Sequence, residues 1–438
     1  MMEKLIQLAK SSCDKAEVYS YEYQDNLVSF ENARLKDIDT KFQSGFSLRI
    51  IGEGKLGFAY TRNLINRKGI IKNALDSQKG GVEAAYDFPQ TKGIPQLDTC
   101  DSSLEDLSTS RLVEECSRVC DILKSKTDAE IKMGCLARIE NIRIINTQGN
   151  DNSMKSSKYF IYGNMIYPGS GLGIYRIHQS KSFDPVPDEL TDEMVELYNL
   201  SSKVVEPKGG KMKVAFMPNS MVTFNWRFSS GASSKSVYEK ISPISGKIGE
   251  KIFDEKISIY DDPLDDEFLG ARAFDDEGVE CKNLTLVEKG ILKNFFYDLD
   301  YAKKLKAKST GHGYRTELWG GDPVTLKPIP ALFHLYIKPG DKSFSDLVKS
   351  MDRGIMVEAG LGFHSGNIPN GDFSIGACPG LYVEKGEIVG RVKDAMVAGN
   401  IYQVFKNVVD VGDTLYPSFW GGRWPVVLCE GVSVATKA

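Results

Sequence analysis

The strongest constraint on the fold is the run AEVYSYEYQDNLVSFENARLKDIDTKFQSGFSLRIIGEGKLGFAYTR, residues 16–62, in which apolar and polar side chains alternate between Asn and Gly breaks. Alternation with a period of two puts one set of side chains on each face of a strand, so this run predicts an antiparallel meander with one face buried. An amphipathic helix precedes it in MMEKLIQLAKSSCDKAEVY, and helical spacing returns at about 63–76 and 109–125. Strands follow around CLARIENIRIINTQGN and SKYFIYGNMIY, and a helix around DEMVELYNL follows the breaker DPVPD. The expected class is α+β, with an N-terminal α+β domain over residues 1–203 built on an antiparallel sheet. The polar, glycine-bearing stretch 204–211 reads as a linker. Residues 212–438 are richer in strand patterns, such as KVAFMP, PALFHLYIKPG and WPVVLCEGVSVA, and predict an antiparallel, barrel-like C-terminal domain.

Charge narrows the function. With 55 basic and 59 acidic residues the net charge is -4, and no run of Lys and Arg makes a phosphate-binding stripe. Direct binding of nucleic acid is not expected. No stretch reaches 18 unbroken apolar residues and no export signal is visible, so the expectation is a soluble, cytoplasmic chain without a membrane partner. The eight cysteines include no CxxC pair, which fits a reducing compartment and speaks against a zinc ribbon. Cys116 and Cys120 fall on the apolar face of the helix expected at 109–125 and read as small core residues.

VEKG occurs at 287–290 and again at 383–386, each time between strand patterns. Lys-Gly followed by a resumed strand is tight-hairpin chemistry, because glycine reaches positive φ without steric cost. The second copy follows Cys378 in GDFSIGACPGLYVEKG. A reactive thiol needs a neighbouring cation, helix N-terminus or His, and nothing adjacent in sequence supplies one, although His364 could approach in space. Cys378 therefore reads as a structural or lining residue, with a thiol hydrolase using His364 or His312 as the rival. The acidic segment DDPLDDEFLGARAFDDEG does not match EF-hand ligand positions and reads as a solvated loop joining strands. His178 and His334 read as strand residues. His312, in STGHGYR, has flanking glycines that would expose it, and with Arg315 it is a candidate for holding a peptide carboxylate, although a loop histidine satisfied by backbone groups is the leading reading.

Across residues 245–315, the ordered pattern of DDEG, a strand, EKGILK and then STGHGYR resembles the TldD/TldE family, whose TldE branch is also called PmbA. GDFSIGACPGLYVEKGEIVGRVKDAMVAGN looks more like the TldE branch, and FSLRIIGEGKLGFAYT resembles the family's N-terminal domain. The resemblance implies a cytoplasmic zinc protease of two related subunits enclosing a chamber for peptides. In the TldD subunit, HExxxH on a helix and a Cys near the C-terminus would supply the zinc ligands and the general base.

Counting without gaps from KVAFMP forward, or from SGKIGE backward, places the His-Glu-His positions on Asn225, Trp226 and Ser230. A neutral amide is a poor zinc ligand and an indole has no accessible lone pair. Tyr416–Trp424 also lacks a Cys, and Cys429 falls within a strand pattern. The expectation is a chain with no catalytic residue, metal or cofactor of its own, zinc being supplied by a TldD-like partner. His312, Arg315, His364 and Cys378 remain as candidates for peptide contact, and pairing as a homodimer or heterodimer stays open. A regulatory binding protein, in line with the family's naming as a modulator of DNA gyrase, and an independent homodimeric peptidase are the alternatives.

Overall fold

The structure, a computed structural model, describes residues 1–437. The N-terminal half is built on a six-stranded antiparallel sheet formed by β1 (Lys15–Glu31), β2 (Arg34–Gly52), β3 (Lys55–Thr61), β4 (Glu130–Asn146), β5 (Asp151–Ile166) and β6 (Gly173–Ser180), in the order β3-β2-β1-β4-β5-β6. The meander expected over 16–62 is therefore β1 to β3. Its second turn carries Glu53 and Gly54 at φ 49° and 70°, the left-handed pair that matches the twist of a two-residue hairpin.

Four helices cover this half: α1 (Met2–Ala9), α2 (Arg67–Lys79), α3 (Thr109–Lys126) and α4 (Asp188–Leu200). Asn66 starts α2 three or four residues later than the apolar pattern predicts, because its side chain accepts from the Gly69 amide at 2.9 Å. Leu5, Ile6 and Ala9 of α1 pack with Ile70, Ile71 and Ala74 of α2 on Val18, Leu48 and Ile50 of the sheet. Cys116 and Cys120 lie buried on α3 beside Leu112, Val119 and Leu123, as expected for core thiols.

The segment read as a linker is drawn into the second half. Its first residues form β7 (Val204–Val205), parallel to Glu387–Val392, and Gly210 opens β8 (Gly210–Phe216). Arg391 donates to the Ser201 and Ser202 carbonyls while lying over the Tyr167 ring, so both sides of the junction are held. Among the described residues β8 is central to a ten-stranded sheet curled into an open half-barrel, with Gly360–Leu361 and Val204–Val205 at its edges. Most pairs are antiparallel, but β8 runs parallel to Arg353–Val357, which departs from a purely antiparallel barrel. Both VEKG turns are hairpins: Lys289-Gly290 and Lys385-Gly386 all have φ between 48° and 78°. One apolar cluster spans both halves, joining Leu112, Met133 and Tyr159 to Met217, Met356, Leu381 and Leu428. The halves share a core, so their relative placement is fixed by close packing.

Candidate functional site

The positions equated with the zinc motif lie on α5 (Val222–Ala232). Phe224 and Phe228, four residues apart, stack at 5.5 Å on its buried side and meet Phe253, Phe405 and Trp424. Arg227 is also buried, and its guanidinium donates to the carbonyls of Asp372 and Ser365 at 2.7 Å, Thr223 at 3.0 Å and Phe363 at 3.1 Å. Burial without a carboxylate partner lowers its pKa to about 10. Those bonds fasten residues 363–372 to the helix, and with them the exposed His364.

The opposite side of α5 is partly open. There Asn225 is itself buried, its amide oxygen accepting from Ser229 Oγ at 2.9 Å, while Trp226 and Ser230 are half-buried. Trp226 meets Trp319 edge-on at 5.5 Å and Trp420 at 5.7 Å, while Trp319 meets His364 at 5.8 Å. Phe419 packs on Trp420 at 5.3 Å and on Phe160 of β5 at 6.1 Å, which carries the aromatic surface across to the N-terminal sheet. Trp319, Phe419 and Trp420 are exposed. Among the described residues no three His, Cys, Asp or Glu side chains are gathered to hold a metal ion.

Sequence reading missed Trp319 and Trp420. The signal available was the repeated Trp-Gly-Gly in LWGGD and FWGGR, whose glycines all take positive φ and turn each loop back so that its tryptophan projects.

His312 and Arg315 do not belong to this surface. Against the expectation of an exposed pair, both are buried. His312 Nδ1 lies 2.8 Å from the Thr310 carbonyl and Nε2 lies 3.2 Å from Asp261. The flanking glycines serve contact, not exposure: a Cβ on Gly313 would sit 2.4 Å from Glu277 Oε2, and one on Gly311 2.5 Å from the Glu280 carbonyl. The acidic segment read as a solvated loop is likewise corrected, since Asp261, Asp275, Asp276 and Glu277 are all buried. Arg49 of β2 explains how. It forks onto Glu17 through two 2.9 Å bonds and reaches Glu277 with a third, while Arg315 donates to Glu17 at 3.3 Å and Arg272 to Asp276 at 2.6 Å. Charges leave water only when paired, and here each half supplies the other's counter-ions.

Burial works against the Arg49 charge, but Glu17, Tyr86 and Glu277 outweigh it and hold its pKa above the ordinary value. Burial raises Asp275 and Glu277, and it raises Asp298 to about 8, with Glu277 adding to that rise. A carboxyl raised in the folded state stabilises below its unfolded pKa, and that contribution is lost as pH rises through the folded value. Stability is therefore expected to fall as pH rises from about 4 to about 8 and to level off above that. Asp298→Asn, which keeps the cap on Tyr301 N, should flatten that fall in urea titrations run at pH 6 and pH 9; an unchanged slope would rule out Asp298 as its source.

Cys378 is half-buried between the strands Asp372–Ala377 and Gly380–Glu384, with its amide on the Ala359 carbonyl at 2.8 Å. Burial pushes its thiol up to about 11, the reverse of an activated nucleophile. His178 is a β6 residue whose Nε2 lies 2.9 Å from Asp184, and His334 ends in a turn just before Leu335–Ile337 rather than inside the strand.

Comparison with known proteins agrees with this architecture. Residues 209–436 match the family model described as the PmbA/TldA metallopeptidase C-terminal domain, and residues 16–77 match metallopeptidase domain 1 of the same family. Two Methanocaldococcus jannaschii proteins are similar. One is uncharacterized and 25% identical over 94% of this chain and 95% of its own; the other is a metalloprotease, 24% identical over 93% and 90%. TldE from Thermococcus kodakarensis superposes with a TM-score of 0.90 at 23% identity, covering 99% of both chains. A proposed modulator of a DNA gyrase from Thermotoga maritima superposes with a TM-score of 0.86 at 25% identity, again over 99% of each. With its C-terminal half and its first domain both matched and the whole fold shared, the chain belongs to the PmbA/TldD metallopeptidase family.

Proposed function

We propose that this chain is the TldE-like, non-catalytic subunit of a two-subunit zinc peptidase of the cytoplasm. It pairs with a TldD-like subunit that carries the zinc and lines the chamber in which peptides are cut. The observation that carries the reading is the outer side of α5. Where the catalytic branch needs two imidazoles and a carboxylate, this helix presents an amide tied to Ser229, a tryptophan set between two others, and a serine. These groups do not fit a zinc ion, which takes thiolate, imidazole or carboxylate ligands. They suit contact with peptide, since aromatic faces offer large apolar area at low entropic cost.

The purified chain is expected to hold well under one zinc per chain by elemental analysis and to leave unstructured peptides intact. Cleavage is expected once a relative bearing HExxxH is added. One zinc per chain in the isolated protein, or cleavage without a partner, would refute the reading and favour an independent peptidase. The name of the Thermotoga maritima protein motivates the rival reading of a regulatory binding protein. Affinity capture that recovers gyrase and no HExxxH protein would favour that alternative.

A further inference from the structure

We propose that the cleft between the N-terminal sheet and the C-terminal half is a peptide subsite in which Asp262 takes a cationic group, either an α-ammonium or a Lys or Arg side chain. The inference rests on the peptide reading above and gives it a polarity. The cleft encloses about 420 Å³, room for a few residues of peptide, and is walled by Phe160 of β5 and by Phe268, Phe333 and Phe419 of the C-terminal half. It is continuous with the aromatic surface of α5, because Phe419 touches both Phe160 and Trp420, and Trp420 touches Trp226.

Most charges that line the cleft are already used. Glu140 accepts from Tyr21 at 2.7 Å and Ser156 at 3.0 Å, Arg272 is spent on Asp276, and Arg423 holds Asp265 at 3.2 Å while lying over the Phe268 ring. Two are left over. Asp262 accepts only the Leu264 amide, at 3.3 Å, and has no ion pair among the described residues, while Lys158 on the opposite wall has none either. His334, 9% exposed, lines the same cleft with Nδ1 lacking any hydrogen-bond partner. A half-buried carboxylate without a counter-ion carries the cost of lost water. Burial and the neighbouring Asp265 accordingly raise the Asp262 pKa. A peptide cation repays that cost through a charge-assisted bond, and its aromatic or aliphatic side chains fill the phenylalanine walls.

The test is calorimetry on the full chain without a partner. The probe is an alanine-rich hexapeptide with one Phe, one Lys and a free N-terminus, compared with its N-acetylated form, its Lys-to-norleucine form and the form with both changes. Binding should weaken about 10-fold when the responsible cation is removed. The single-change peptides tell the α-ammonium from the side chain. Asp262→Asn, with its unfolding midpoint checked against the parent, should weaken the parent peptide by a similar factor. It should leave the doubly changed peptide unaffected, as a coupled pair requires. Equal affinity for all four peptides on the unmodified protein, equal affinity of the Asn variant for the parent peptide, or no peptide binding at all would overturn the proposal. Because no partner is present, cation-dependent binding that yields no cleavage after a partner is added sinks the subunit reading and leaves this one standing. Cleavage without any dependence on Asp262 does the reverse.

Discussion

Replacing Arg49 by alanine is expected to lower the unfolding free energy by about 3–5 kcal/mol, the usual penalty for removing one member of a buried ion cluster. Arg49 is 1% exposed, Glu17 is fully buried and Glu277 is 1% exposed, so neither carboxylate can recover water when the guanidinium leaves. The loss should exceed what the removed packing alone would cause, because Glu277 loses its cation and Glu17 keeps only the longer 3.3 Å bond from Arg315. Arg49→Lys separates the two contributions. It keeps the charge but cannot reproduce the fork onto Glu17 together with the third bond to Glu277, and it should cost about 1–3 kcal/mol. Urea unfolding followed by far-UV circular dichroism reads both variants. An alanine variant within about 0.5 kcal/mol of the parent would mean that water reaches the cluster, and the account of the joined halves would fall.

Phe224→Ala is the second large effect, expected at about 3–5 kcal/mol from lost burial and the cavity left behind. Phe224 is 1% exposed and its ring centroid lies 4.5 Å from Phe405, with Phe228, Phe253 and Trp424 also around it. Two residues along the same helix, Trp226→Ala removes a larger ring from the outer side and should cost only about 1–2 kcal/mol, since Trp319 and Trp420 can close over a site already open to water. The functional readouts should reverse: the Trp226 variant should impair partner-dependent peptide cleavage while remaining folded. Equal destabilisation by the two changes, measured by thermal unfolding, would contradict the division of α5 into a core side and a working side.

Much of the frame is legible along the chain. The meander, the N-terminal amphipathic helices and the Lys-Gly hairpins follow from periodicity and turn chemistry acting over a few residues, and these survive whatever the distant chain does. The error over the acidic segment and the His312 loop has a physical source. Whether an aspartate is solvated or buried depends on its counter-ion, and Arg49 stands 228 positions from Glu277 while Arg315 stands 298 from Glu17. No local pattern carries that information. The linker was misjudged for a related reason: Val204 and Val205 look like polar-flanked coil until Glu387–Val392 arrives beside them.

The sequence by itself determined the strands, helices and turns, and it determined that amide, indole and hydroxyl stand at the positions equated with the zinc motif, because these depend on side-chain identity and short-range backbone preference. Only the tertiary structure decided which charges are buried, which aromatic rings meet around Trp226, and which carboxylate in the cleft is left without a partner, because each of these requires segments far apart in the sequence to come into contact.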